Sequence, residues 1–165
     1  MGLMEKIMRY IPGYRGYKEK EIRRESDRLI RMESALRLQK AKDAVRSCLT
    51  NPYVLQSLRG EDIWRVETLT SRLDRVAARI EKAVAGYAGM FDSVKVREDK
   101  LDKILEHDLK LIEGAERVRM MAERMASEKA GGEEWRKIIE DMLGEIQRLE
   151  SLVDQRTEIL RGLAP

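Results

Sequence analysis

The chain has 165 residues: 42% are apolar, 38% charged, only 5% aromatic, and three are prolines. A β-rich domain needs more aromatic, β-branched and turn residues than this, and a disordered chain has less apolar content. What remains is the composition of long helices rich in Ala, Glu, Lys, Leu and Arg, so the fold class read from the sequence is all-α.

The net charge of +3 is unevenly spread. Residues 1–50 hold 13 Lys or Arg against 7 Asp or Glu, a net +6; residues 51–165 hold 20 against 23, a net −3. Such asymmetry points the first third of the chain at an anionic partner, or simply reflects solvated helix faces. No stretch approaches the roughly 18 consecutive apolar residues of a membrane span. The apolar residues of the N-terminus are interleaved with Glu5, Lys6 and Arg9, unlike a secretory signal. The single cysteine, Cys48, excludes an internal disulfide and fits a reducing cytoplasm, the expected location.

Residues 2–11 read as a short amphipathic helix. Leu3, Met4, Ile7, Met8 and Ile11 share one face, with Glu5, Lys6 and Arg9 opposite. Pro12-Gly13 ends it, and residues 12–16 form a turn flanked by Tyr10, Tyr14 and Tyr17. From Tyr17 to about Leu49 the chain holds no Gly or Pro and reads as one helix. Its inner face carries Ile22, Leu29, Ile30, Leu36, Leu38, Val45 and Leu49. Lys20, Arg24, Arg28 and Arg31 recur at helical spacing and make a basic stripe. Asn51-Pro52 ends this helix or opens the next, Pro being suited to the first helical position. A short piece over Tyr53–Leu58 ends at Gly60.

A heptad phase then begins near Glu61. It runs through Val66, Leu69, Leu73, Val76, Ile80, Ala83, Tyr87 and Met90, and on through Val94, Arg97, Leu101, Ile104, Asp108, Leu111, Ala115, Val118, Ala122 and Met125. Gly86, Gly89, Asp92 and Ser93 offer a turn within this run. Two models follow: a single rod over residues 61–129, or two helices joined by a turn near residues 86–93. The unbroken phase leans toward the rod. Ala130-Gly131-Gly132 is the clearest break, and Glu133 and Glu134 open a last helix antiparallel to the one before. Its heptads are Trp135, Ile139, Met142, Ile146, Leu149, Val153, Arg156 and Leu160.

The architecture expected is an elongated antiparallel helical bundle or pair of coiled-coil hairpins, with three long helices, or four if the chain turns. Residues 1–16 form the N-terminal helix and turn, and 17–165 one helical domain. In the rod model Ile104, Leu111, Val118, Met125, Ile139, Ile146 and Val153 form a seam that only a second copy can close, which predicts a homo-oligomer.

The search for chemistry is short. Di-iron bundles need two Glu-x-x-His pairs, whereas His107 is the one histidine and Ile104 lies three residues before it. His107 therefore reads as a solvated or interface residue. Asp108 in the seam is either one half of an ion pair with a facing Lys or Arg, or a residue rotated to the solvated edge. Cys48 near a helix C-terminus is a small packing residue, not a nucleophile. Met120, Met121 and Met125 read as core filling. Nucleotide loops, metal-ligand spacings and hydrolase elbows are missing from the sequence, so no catalytic, cofactor or metal residue is assigned and no small-molecule substrate is expected.

The functional expectation is a non-enzymatic, self-associating helical scaffold or adaptor, peripheral on an anionic membrane surface. Its contact residues are Leu3, Met4, Ile7, Met8 and Ile11, with Lys20, Arg24, Arg28 and Arg31. The competing structural role for residues 2–11 is docking on the protein's own helices. The alternative function is a nucleic-acid-associated protein using the same basic stripe, weakened by the shortage of stacking aromatics.

Overall fold

A computed structural model describes residues 1–82 and 98–161. Among the described residues 85% are helical and none lies in a strand. The helices are α1 (Leu3–Tyr10), α2 (Arg23–Ser47), α3 (Pro52–Ser57), α4 (Gly60–Lys82), α5 (Glu98–Ser127) and α6 (Glu133–Arg161), with one 3-10 turn at Lys20–Ile22. Among the described residues no helix is long and apolar enough to cross a membrane.

Local chemistry sets most boundaries. Glu5 Oε2 accepts the Gly2 N–H (3.2 Å), satisfying a free donor at the start of α1. Pro12 and Gly13 are the central residues of a β-turn in which Tyr14 N–H donates to Ile11 O (3.0 Å). Asn51 Oδ1 accepts the Tyr53 N–H (3.0 Å), and Pro52 opens α3 at its first position. The sequence places the next long helix at Tyr17, yet α2 begins only at Arg23. Tyr17 is drawn into the core instead, and Gly16 turns the chain with φ +72°. A Cβ at Gly16 would lie 2.7 Å from Met4 Sδ.

The four helices of 23–30 residues pack in a ring: α2 touches α4 and α5, and α6 touches the same two. Side-chain bridges give the directions. Arg31 Nη1 donates to Glu81 O (2.9 Å) and Lys42 Nζ meets Asp74 Oδ1 (2.7 Å), so α2 and α4 are antiparallel. Arg136 binds Asp62 with two bonds of 2.9 Å and Arg72 meets Glu150 (3.3 Å), so α4 and α6 are parallel. Arg156–Asp108 and Arg117–Glu145 make α5 and α6 antiparallel, as the Gly131-Gly132 break predicts. Gly131 has φ +80° within the connection. Arg37 Nε reaches Glu116 Oε2 (3.1 Å) from α2 to α5.

These bridges exclude the rod. Asp74 and Glu116 both contact α2, through Lys42 and Arg37, which stand about 7.5 Å apart along that helix. In a continuous helix Asp74 and Glu116 would be separated by about 63 Å. The chain therefore folds back between Lys82 and Glu98. The turn expected at residues 86–93, and the heptad positions Ala83, Tyr87, Met90, Val94 and Arg97, lie outside the described residues.

Folding back changes what covers the heptads. Ile104, Leu111, Val118, Met125, Ile139, Ile146 and Val153, expected as a seam between copies, are all buried inside one chain, Val153 being the least covered at 8% exposure. Val66, Leu69, Leu73, Val76 and Ile80 of α4 join the same core. The seam closes intramolecularly because four helices supply the walls that two could not. Along α2, Ile30, Leu38 and Val45 face inward as expected, but Leu36 is 47% exposed.

Candidate functional site

Two heptad positions that should be apolar are not: Asp108 of α5 and Arg156 of α6. The fold brings them together. Arg156 Nη1 donates to Asp108 Oδ1 (2.5 Å), and Arg156 Nη2 donates to Asp27 Oδ1 of α2. Arg31 Nε, one turn along α2, donates to the other Asp27 oxygen (2.9 Å). Tyr14 and Tyr17 each donate their hydroxyl to Asp108 Oδ2 at 2.6 Å. Two cations and two anions thus alternate in a chain, Arg31–Asp27–Arg156–Asp108, capped by two phenols. It ties together α2, α5, α6 and the link after α1.

All six residues are at most 4% exposed, and Asp108 is fully covered. Buried ions need both charge balance and hydrogen-bonding partners; the two cations balance the two anions, and of the Arg156 guanidinium only the Nε is left without a partner. Burial alone would push the Asp108 carboxyl up. The Arg156 guanidinium and the two tyrosine hydroxyls outweigh it and hold the carboxyl below its usual range. Burial first, and then the Asp108 charge, drive the Tyr14 and Tyr17 phenols upward.

His107 flanks the cluster and is buried where α5 meets α6, which is the interface alternative and not the solvated one. One ring nitrogen, Nε2, lies 2.6 Å from Leu152 O, and the other, Nδ1, lies 3.1 Å from Arg156 Nη1. A carbonyl only accepts, so Nε2 carries a proton and donates to Leu152 O. Both nitrogens are occupied by structural bonds. Asp108 is likewise no solvated edge residue but half of an ion pair.

The predicted contact residues divide. Ile7 and Ile11 are buried against the core, Leu3 and Met4 are half-buried, and Met8 is 42% exposed. The apolar face of α1 thus rests on the protein itself, packed on α5. Lys20, Arg24 and Arg28 are exposed, with Arg28 paired to Glu25. Arg31 is not part of an exposed stripe: it is 4% exposed and bound to Asp27. Tyr14 and Tyr17 sit in the core, Tyr14 because its hydroxyl has an anion to bind there. Cys48 is half-buried, and burial pushes its thiol up. Met125 is buried while Met120 is 53% exposed, so the methionine group does not fill the core as one unit.

Asp27, Arg156, Tyr14 and Tyr17 are the members to which sequence reading gave no site role. Arg156 carried a signal, since it broke an apolar heptad opposite another break at Asp108. The tyrosines carried none, because nothing local places a phenol 94 residues from its acceptor.

The phenols give a pH test. Their raised folded-state values mean the neutral form is favoured in the native protein. Their stabilising contribution is complete below the unfolded tyrosine value of about 10 and is lost as pH rises beyond it. Alkaline titration followed at 295 nm and 222 nm together should show part of the phenolate signal rising only as ellipticity falls. That component should vanish in the Tyr14→Phe, Tyr17→Phe double variant. Asp108 acts oppositely, contributing above about pH 4 and losing its contribution as pH drops below its folded value.

Among the described residues no group of three or more His, Cys, Asp or Glu is placed to hold a metal ion. No protein-family model, no curated protein and no solved structure matches this chain.

Proposed function

We propose that the chain is a non-enzymatic adaptor, built on a bundle of four long helices, that meets an anionic membrane surface with its N-terminal third. The observation that carries this reading is the placement of positive charge. Lys6, Arg9, Arg15, Lys18, Lys20, Arg24 and Arg28 are all exposed. They lie on α1, on the link and on the first turns of α2, which the tyrosine contacts with Asp108 hold together. Met8 and Met32, at 42% and 50% exposure, add apolar area within the same region. The non-enzymatic part draws on the sequence, in which no nucleotide loop, metal-ligand spacing or hydrolase elbow is found. Self-association through the heptad seam is no longer part of the proposal, since that seam is occupied.

Co-sedimentation with vesicles containing phosphatidylserine tests it, beside vesicles of phosphatidylcholine alone. Binding should require the anionic lipid and weaken as salt is raised. Each basic residue near such a surface contributes about 1 kcal/mol, so Lys18→Glu with Lys20→Glu should weaken binding at least tenfold. Retention of an unrelated DNA duplex without vesicle binding would replace this reading with the nucleic-acid one.

A further inference from the structure

We propose that α1 is a detachable membrane helix. It leaves its bed on α5 by pivoting at Pro12-Gly13 and lays the Leu3, Met4, Ile7, Met8 and Ile11 face into the anionic lipid surface, while Tyr14 and Tyr17 stay fastened to Asp108. This rests on the membrane reading above and says how the surface is engaged.

Three features converge on it. The first is shallow docking. Within α1 only Ile7 is wholly buried; Leu3, Met4 and Tyr10 are half-covered. A cavity of ≈370 Å³, lined by Met4, Gly16, Tyr17, Leu101 and Leu105 among others, undercuts its N-terminal end. Arg37 Nη2 holds the other end through Tyr10 O (3.1 Å).

The second is the position of the pivot. Pro12 and Gly13 are exposed, at the centre of a β-turn, immediately before the first anchoring tyrosine. No α1 side chain belongs to the ionic cluster, so lifting α1 and Ile11 breaks none of its side-chain hydrogen bonds. The link then works as a fixed post with a free arm.

The third is the chemistry of the arm. Its apolar face is backed by exposed Lys6 and Arg9, the distribution suited to a helix lying among anionic headgroups. Eight residues are too few to hold a helix alone in water, so the arm exchanges one apolar bed for another. Both beds take the same face, so docking and insertion exclude each other. The post keeps the released arm next to the exposed Lys18 and Lys20, which raises its effective concentration at the lipid.

A reversible lock tests this. Met4 Sδ and Leu105 Cδ2 lie 2.7 and 3.7 Å from the Cβ position of Gly16, so the two side chains are within reach of a short cross-linker. In a Cys48→Ser background, Met4→Cys and Leu105→Cys are joined by a cleavable bismaleimide, and binding to phosphatidylserine vesicles is measured before and after reduction. The locked protein should bind at least tenfold more weakly, with binding restored by reduction and ellipticity unchanged throughout. Equal binding of the locked and released forms, with the Lys18→Glu, Lys20→Glu loss still present, would overturn the exchange and leave the surface reading standing. No binding in either form, nor by the unmodified protein, would overturn both. Deleting residues 1–11 gives a second measurement: vesicle binding retained by a folded deletion variant also overturns the exchange.

Discussion

Replacing Leu111 by Asp should unfold the isolated chain. Leu111 of α5 is 1% exposed and belongs to the core. Truncating such a leucine costs about 2–5 kcal/mol through lost burial and the cavity left behind. A carboxylate placed there is buried in the core, and its desolvation adds several kcal/mol more. The sum is comparable with the whole stability of an ordinary domain, about 5–15 kcal/mol. Ile139→Asp on α6 should behave alike, being fully buried in the same core. The measurements are ellipticity at 222 nm and light scattering at 25 °C. A seam between copies would make these variants folded, dissociated subunits. A seam closed within one chain makes them unfolded. Folded variants of reduced mass would show the present assignment of the seam to be mistaken.

Arg156→Met should be nearly as damaging, for a different reason. The substitution keeps an unbranched side chain of similar reach but removes the cation that Asp27 and Asp108 share. Arg31 still compensates Asp27, so the loss falls mainly on Asp108, left with two phenols and no positive charge. Removing one partner of a buried ion pair costs about 3–5 kcal/mol, read as the change in urea midpoint at constant slope. Adding Asp108→Asn should return part of this, because the uncompensated charge goes too. A control is Arg79→Met, whose partner Asp154 is 69% exposed. Solvent already screens that pair, and its loss should cost about 0.2–1 kcal/mol. Similar costs for Arg156→Met and Arg79→Met would show that the cluster contributes nothing beyond an exposed pair.

The seam shows where local reading stops. The heptad phase from Val66 to Met125 is real in the sense that every described position named in it beyond Leu101 is buried. What the phase could not report is which helix faces it. A 3.5-residue repeat specifies a buried stripe and its angular width, and a stripe is the same whether its cover comes from the same chain or another. Continuity of phase across residues 86–93 therefore leaned toward a rod that the Lys42–Asp74 and Arg37–Glu116 bridges exclude.

Composition and periodicity by themselves determined that the protein is helical, where its glycine and proline breaks fall, and which residues of each long helix turn inward. These follow from short-range physics: backbone propensity, caps, and the 3.6-residue turn. Only the tertiary structure decided that α4 and α5 lie beside the same α2, that the seam is closed within the chain, and that the α1 face rests on α5. It alone joined Tyr14, Tyr17, Asp27, Asp108 and Arg156 in one cluster. The reason is distance along the chain. An ion pair or a phenol–carboxylate bond is specified by where two backbones end up, and the partners here are separated by 48 to 139 residues. Within the sequence each was only an isolated polar residue at a position that packing would otherwise have kept apolar.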